Sequence, residues 1–260
     1  QRTQGVSGTV KYSPVYHPEE RINWTLSASF KHQKAKYEDI GNSLDQFNKE
    51  NLNTSLVRYY DGGSPTALWA VRSLGINPSD GRELFLTKEG TYTFEYDTED
   101  EVVVGNSEPK LEGVLGSTLY WKGFSFSLYF RYSLGADVFT EATYNKVENI
   151  SLAGLKSNQD KRALHDRWQK PGDHAKFKGI SLTETTPISS RFVLRENYIK
   201  AESISVGYDF ESQAVQKLGI QSLRLQANTT DLFRISSIKE ERGIEYPFAR
   251  SFSFSLQVTF

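Results

Sequence analysis

From Phe124 to Leu134 apolar and polar residues alternate without a break. Phe124, Phe126, Leu128, Phe130, Tyr132 and Leu134 fall on one side, and Ser125, Ser127, Tyr129, Arg131 and Ser133 on the other. Successive side chains of a strand point to opposite faces, so a period of two predicts a β-strand with one apolar and one polar face. The same pattern closes the sequence, where Phe252, Phe254, Leu256, Val258 and Phe260 alternate with Ser251, Ser253, Ser255, Gln257 and Thr259. Chain ends fray unless tied down, so an apolar face running to the last residue requires a cover. A second sheet supplies one in a soluble sandwich, and lipid tails supply one in a bilayer.

Other segments repeat the alternation. Ile22, Trp24, Leu26, Ala28 and Phe30 oppose Asn23, Thr25, Ser27 and Ser29, and Ile204, Val206, Tyr208 and Phe210 oppose Ser203, Ser205, Gly207 and Asp209. Leu111 to Trp121 forms a hairpin with the Phe124 strand through the tight turn Lys122-Gly123. Weaker patterns occur at Val6, Val10 and Tyr12 and at Leu223, Leu225 and Ala227, and Ala67 to Ile76 reads as a further strand. Most of these eight candidates exceed the usual length of about five or six residues for a globular strand. A tilted strand crossing a bilayer needs about 9 to 11 residues. The polar faces carry mainly Ser, Thr, Asn, Gln and Gly, which suits a wet lumen better than bulk solvent.

Composition narrows the function classes. Hydrophobic residues make up only 37% of the chain and aromatic residues 13%, so much polar surface must face water on more than one side. Basic and acidic residues nearly cancel, 31 against 32, which leaves no basic face for nucleic acid. No run approaches the roughly 18 apolar residues of a transmembrane helix, so a membrane would be crossed by strands. The absence of Cys excludes disulfides, thiolate catalysis and cysteine-ligated zinc. With no Met anywhere and Gln1 opening neither a signal peptide nor an initiator sequence, the chain is expected to be a piece of a longer one.

Connections alternate in length. Lys122-Gly123 is minimal and Glu211 to Gly219 is short, whereas Asn77 to Pro109, Gly135 to Arg191 and Ile235 to Ala249 are long. Outer-membrane barrels have short periplasmic turns and long extracellular loops, which places the C-terminus in the periplasm. Ala35 to Thr66 breaks this pattern, being long on the side where turns should be short. Ile40, Leu44 and Phe47 predict a short helix within it, and a second short helix is predicted from Ser157 to Trp168, stopped by Pro171-Gly172. The acidic run Glu95 to Glu101 reads as a solvated loop tip, with calcium binding as the sharper alternative. Small inward-facing Ser and Gly would leave voids in a closed eight-stranded barrel. The strands are therefore expected to form one arc of a wider barrel, its edges sealed by strands from elsewhere, because backbone groups in lipid must be paired.

Five motifs in one order then carry a family resemblance. Asn106 to Gly113 is similar to an "NPxPKxxGG" strand entry, followed by "YWKGFSFSLYFRYSLG" in place of a "YKGFxLSxxFxYxxG" hairpin. Trp168 to Asp173 resembles a "WxxPGD" loop, and "YIKAESISVGYDF" (198–210) resembles "YLRLKNxxLGYxxP". "LRLQANTTDLF" (223–233) and "YPFARSFSFSLQVTF" (246–260) are similar to "xRxYxxxxNLF" and "YPxPRxxxxGxxxxF". The set resembles the C-terminal portion of SusC/RagA-type TonB-dependent outer-membrane transporters of Bacteroidetes-like bacteria. That resemblance implies an all-β fold, a transmembrane antiparallel β-barrel of 22 strands, of which residues 1–260 would supply about eight and the last extracellular loops. It also implies an N-terminal plug and barrel portion outside this sequence, coupling to TonB, and a SusD-like surface lipoprotein that captures oligosaccharides or peptides. Phe260 would then serve as the terminal aromatic read by the barrel-assembly machinery.

For transport, the residues with chemical character are Tyr129 and Arg131 on the lumen face and Tyr96, Tyr144 and Trp168 in loops, because sugars stack on aromatic faces and polar rims fix orientation. The blander reading has Tyr129 and Arg131 packing on the plug and Trp168 anchoring its own loop. Catalysis is not expected. His17, His32, His165 and His174 lie in no metal-ligand spacing, no nucleophile-elbow or phosphate-loop motif occurs, and no cofactor or metal is implied. The alternative of another class is a secreted β-sandwich that binds carbohydrate, which glycosylation sequons at Asn23, Asn53, Asn149 and Asn228 would favour.

Overall fold

The computed structural model describes residues 1–181, 183–210, 219–239 and 250–260. Its strands are β1 (Arg2–His17), β2 (Ile22–Lys36), β3 (Ala67–Ile76), β4 (Glu83–Leu86), β5 (Tyr92–Thr93) and β6 (Glu101–Asn106). They continue with β7 (Leu111–Trp121), β8 (Phe124–Phe139), β9 (Val193–Phe210), β10 (Ser222–Thr230), β11 (Arg234–Ser236) and β12 (Phe252–Thr259). Helical turns are short: α1 (Asp45–Glu50), α2 (Glu141–Thr143) and α3 (Arg162–His165). The chain forms two units. The wall unit comprises Gly5–Gln33, Pro109–Gly135 and Glu196–Phe260, and the loop unit Gln1–Gln4, Lys34–Glu108 and Ala136–Arg195.

The wall is one sheet in the order β1-β2-β7-β8-β9-β10-β12, with β11 paired beside β9. Its best-defined hairpin joins β7 and β8 in unbroken antiparallel register from Leu111↔Leu134 to Trp121↔Phe124. Lys122 (φ 48°) and Gly123 (φ 97°) both take the left-handed backbone that a two-residue type I′ turn requires, so the local sequence sets the register. At the C-terminal end β10 pairs β9 from Leu223↔Phe210 and β12 from Ser222↔Thr259. The sheet is open, since β1 and β12 are not paired with each other.

The apolar face of this sheet stays uncovered. Trp121, Phe124, Leu134, Val206 and Leu225 are all exposed, and Phe252, Phe254 and Leu256 are 60–76% exposed. A soluble sandwich would bury these rings under a second sheet, and among the described residues no such layer covers them. An open, apolar-faced arc of long antiparallel strands is the expected partial barrel.

Three expectations need correction. Ala67 to Ile76 is not a wall strand. As β3 it sits inside a separate four-stranded sheet, β5-β4-β3-β6, where Ala67, Leu68, Ala70 and Val71 are buried together with Phe85. Its near-continuous burial explains why length alone misplaced it. Removing β3 from the wall also removes the anomalous long turn, because everything between β2 and β7 becomes a single long connection. Finally, the acidic run is not wholly solvated: Glu101 is buried, with both carboxylate oxygens on the guanidinium of Arg58 at 2.6–2.9 Å. Short helices lie where the two were expected, α1 of six residues and α3 of four. The short connection 211–218 and residues 240–249, with the start of the "YPFAR" motif, lie outside the described residues.

Candidate functional site

Within the wall unit, Arg131 of β8 reaches across to β9. Its Nε and Nη2 donate to the Glu202 carboxylate at 2.5 and 2.8 Å, a two-pronged pair on the polar side of the sheet. The side chains are 41% and 32% exposed, so water screens the pair. Tyr129 hydrogen-bonds through its hydroxyl to Thr118 of β7 at 3.3 Å. Its ring lies against Gly116, where a Cβ would overlap it. The two residues are thus neighbours, each already engaged with an adjacent strand.

The three loop aromatics belong to the loop unit. Tyr96 donates to the Ile188 carbonyl at 3.3 Å and packs its ring edge-to-face on Phe85 with centroids 5.5 Å apart. Burial, and after it the charge of Glu101, pushes its phenol well above the usual range. Tyr144 donates to the Thr186 carbonyl at 2.8 Å, and its ring meets Phe192 at 5.0 Å. Burial likewise raises its phenol. Both tyrosines therefore converge on the segment Thr186 to Ile188. Trp168 stands apart, donating from Nε1 to the Pro78 carbonyl at 2.9 Å with its ring over Gly81. Phe260 follows β12 and is 80% exposed.

Sequence reasoning missed the charges that organise the loop unit. Arg191 bridges two buried carboxylates, Glu83 at 2.9 Å and Glu148 at 3.0 Å. Ser189 donates to Glu83 at 2.6 Å and Thr186 to Glu148 at 3.0 Å, so each carboxylate also accepts from a hydroxyl. Burial opposes the Arg191 charge, but hydrogen bonds to Glu148 and Glu83 outweigh it and raise its pKa. One signal pointed here: Glu83 shares a strand face with Phe85, a charge on a buried face that demands a partner. Among the described residues no group of three or more His, Asp or Glu is placed to hold a metal ion.

No protein-family model matches the chain. TonB-dependent receptor P39 of Formosa agariphila is 24% identical over 161 residues, covering 60% of this chain and 15% of that protein. TonB-dependent receptor P26 of the same organism is 24% identical over 281 residues, covering 93% of this chain and 27% of that protein. Among solved structures, the RagAB peptide importer in its open-open state superposes with a TM-score of 0.74 at 17% identity, over 99% of this chain and 28% of that one. A further RagAB peptide transporter structure gives 0.71 at 16% identity, over 91% of this chain and 26% of that one. The chain thus spans between 15% and 28% of the proteins it matches. The uncovered apolar strands and the superpositions give the chain the fold of a stretch of outer-membrane barrel, similar in sequence to TonB-dependent receptors. The fold it shares with the RagAB structures extends over 91–99% of the chain.

Proposed function

We propose that this chain contributes seven consecutive wall strands and their extracellular loops to a TonB-dependent outer-membrane importer of oligosaccharides or peptides. The carrying observation is the combination of an uncovered apolar face with strict alternation of connections. With β3 to β6 assigned to an insertion, the turns between β1 and β2 and between β7 and β8 are short. Those after β2 and β8, both leaving the opposite ends of the strands, are long. By the rule for outer-membrane barrels the long connections are extracellular, and β12 delivers the C-terminus to the periplasm.

In this reading residues 1–260 are the C-terminal segment of the barrel, and the plug, the remaining strands and the TonB contact belong to the rest of the protein. Those strands pair the edges of β1 and β12, since an unpaired edge in lipid is costly. A SusD-like lipoprotein presents substrate at the long-loop end. Tyr96, Tyr144 and Trp168 are the loop aromatics that meet substrate in this reading, held in place by hydrogen bonds to main-chain carbonyls. Tyr129 and Arg131 face the lumen, and Phe260 serves as the assembly signal. Transport, not catalysis, is the activity.

The test is extraction of outer membranes in mild detergent, followed by gel migration with and without boiling and mass spectrometry of co-purifying chains. A heat-modifiable band accompanied by a surface lipoprotein is the expected outcome. A chain released without detergent, migrating identically in both states, would overturn the reading.

A further inference from the structure

We infer that a cleft in the loop unit, beside the aromatic pair Tyr60 and Trp69, is a binding site for a stretch of uncharged oligosaccharide. This rests on the import reading above and selects one substrate class from it. The cleft measures about 810 Å3, in the range of small-molecule sites. Tyr60 and Trp69 line it with ring centroids 5.3 Å apart and planes inclined by 52°, so their faces form a bent apolar platform. Tyr60 is 42% exposed, leaving ring surface free for a sugar to stack on.

The backbone is shaped to hold this platform. The β3–β6 ladder slips by one residue between Leu68↔Gly105 and Trp69↔Val103, a bulge at the position of the indole. Bulges re-aim side chains at the point where they interrupt a ladder. Trp24 and Trp168 donate their indole N–H to Ser117 and Pro78, whereas Trp69 makes no such bond among the described residues. A donor remains for a ligand oxygen.

The rim supplies the complementary polar groups. Asp97 Oδ1 accepts from the Glu99 amide at 2.9 Å, and Asp100 Oδ1 accepts from the Lys88 amide at 2.9 Å. Those bonds fix both carboxylates and leave the second oxygen of each pre-oriented as an acceptor, the arrangement that suits hydroxyl groups. Glu101, at the floor, is neutralised by Arg58. Of the other charges lining the cleft, the carboxylates of Glu89, Asp97, Glu99 and Asp100 outnumber the ammonium groups of Lys49 and Lys88 by four to two. That excess repels uronates and sulfated sugars while leaving neutral hydroxyls unopposed.

The experiment titrates the full-length protein, purified in detergent, with hexasaccharides of glucose, xylose and mannose, with oligogalacturonate and with a lysine-rich octapeptide, reading binding by calorimetry. At least one neutral hexasaccharide should bind, oligogalacturonate should not, and Trp69→Ala should weaken the binding about tenfold or more. Tyr60→Ala, at an exposed ring, should do the same with an unchanged melting point, which covers the case in which Trp69→Ala fails to fold. The inference is overturned if no neutral hexasaccharide binds, if binding is indifferent to both substitutions, or if the octapeptide is the ligand they weaken. Heat-modifiable migration of the same sample separates the two readings: a folded barrel that ignores the sugars removes the site alone, and a sample with no folded barrel removes the importer.

Discussion

Ser29 does in the β2–β7 ladder what a backbone group does elsewhere. Its Oγ accepts from the Val114 amide at 2.9 Å and donates to the Val114 carbonyl at 3.3 Å. This occurs where main-chain pairing lapses between Ala28↔Leu115 and Lys31↔Glu112. Tyr132 donates its hydroxyl to the Ser29 carbonyl at 2.9 Å, and a Cβ on Gly113 would collide with that same oxygen. Gly113→Val should therefore cost about 1–3 kcal/mol, read as a lower temperature for loss of the compact gel band. Arg191→Leu should cost about 3–5 kcal/mol, because Glu83 and Glu148 would keep their burial and lose their cation. Protease nicking of the 140–192 connection is the readout. Arg131→Leu, removing an exposed pair, should change stability by only about 0–1 kcal/mol. The contrast follows from solvent access, which sequence does not record. Arg131 attracted notice because it is the one charge on the polar face of an obvious alternation, and Arg191 did not because its two partners lie 108 and 43 residues away.

At the scale of elements, what was legible is what local chemistry decides. The Lys122-Gly123 turn and the β7–β8 register follow from two residues that accept positive φ between two alternating runs. Gly123→Ala should cost about 1–2 kcal/mol for its left-handed backbone, and its Cβ would also crowd the Asp209 carbonyl at 3.0 Å. A lower refolding yield into micelles at matched conditions would register that loss. The assignment of β3 was not legible, since a strand buried in a small sheet and one facing lipid have similar length and apolar content. Only its pairing with β4 and β6 separates them. The loop unit also carries a pH response through Tyr96. Burial raises its phenol above the ordinary tyrosine value, so the folded state holds that proton more tightly than the unfolded chain. The resulting stability is present below about pH 10 and declines as pH rises toward the folded pKa. Tyr96→Phe should flatten this alkaline decline, measured by protease resistance between pH 9 and 12.

For the whole molecule, the decisive quantity is parity. Strands β1, β2, β7, β8, β9, β10 and β12 follow the order of the chain across the wall, and the registers of β2 with β7, β7 with β8, β9 with β10 and β10 with β12 are antiparallel, so in an antiparallel wall successive connections leave from alternate ends. Long connections all fall at one end only because β3 to β6 form a sheet of their own. The sequence lacks Cys, so a single introduced thiol reports its own position within this segment. Leu155 is an exposed residue of the connection between β8 and β9, and Lys122 lies at the opposite end of β8. The most direct test labels intact cells expressing the full-length protein with Leu155→Cys or Lys122→Cys, using a membrane-impermeant maleimide. Labelling of Leu155→Cys in intact cells, and of Lys122→Cys only after the outer membrane is opened, is the result predicted for an outer-membrane wall with extracellular long loops. Equal labelling of both in intact cells, or the reverse order, would contradict it.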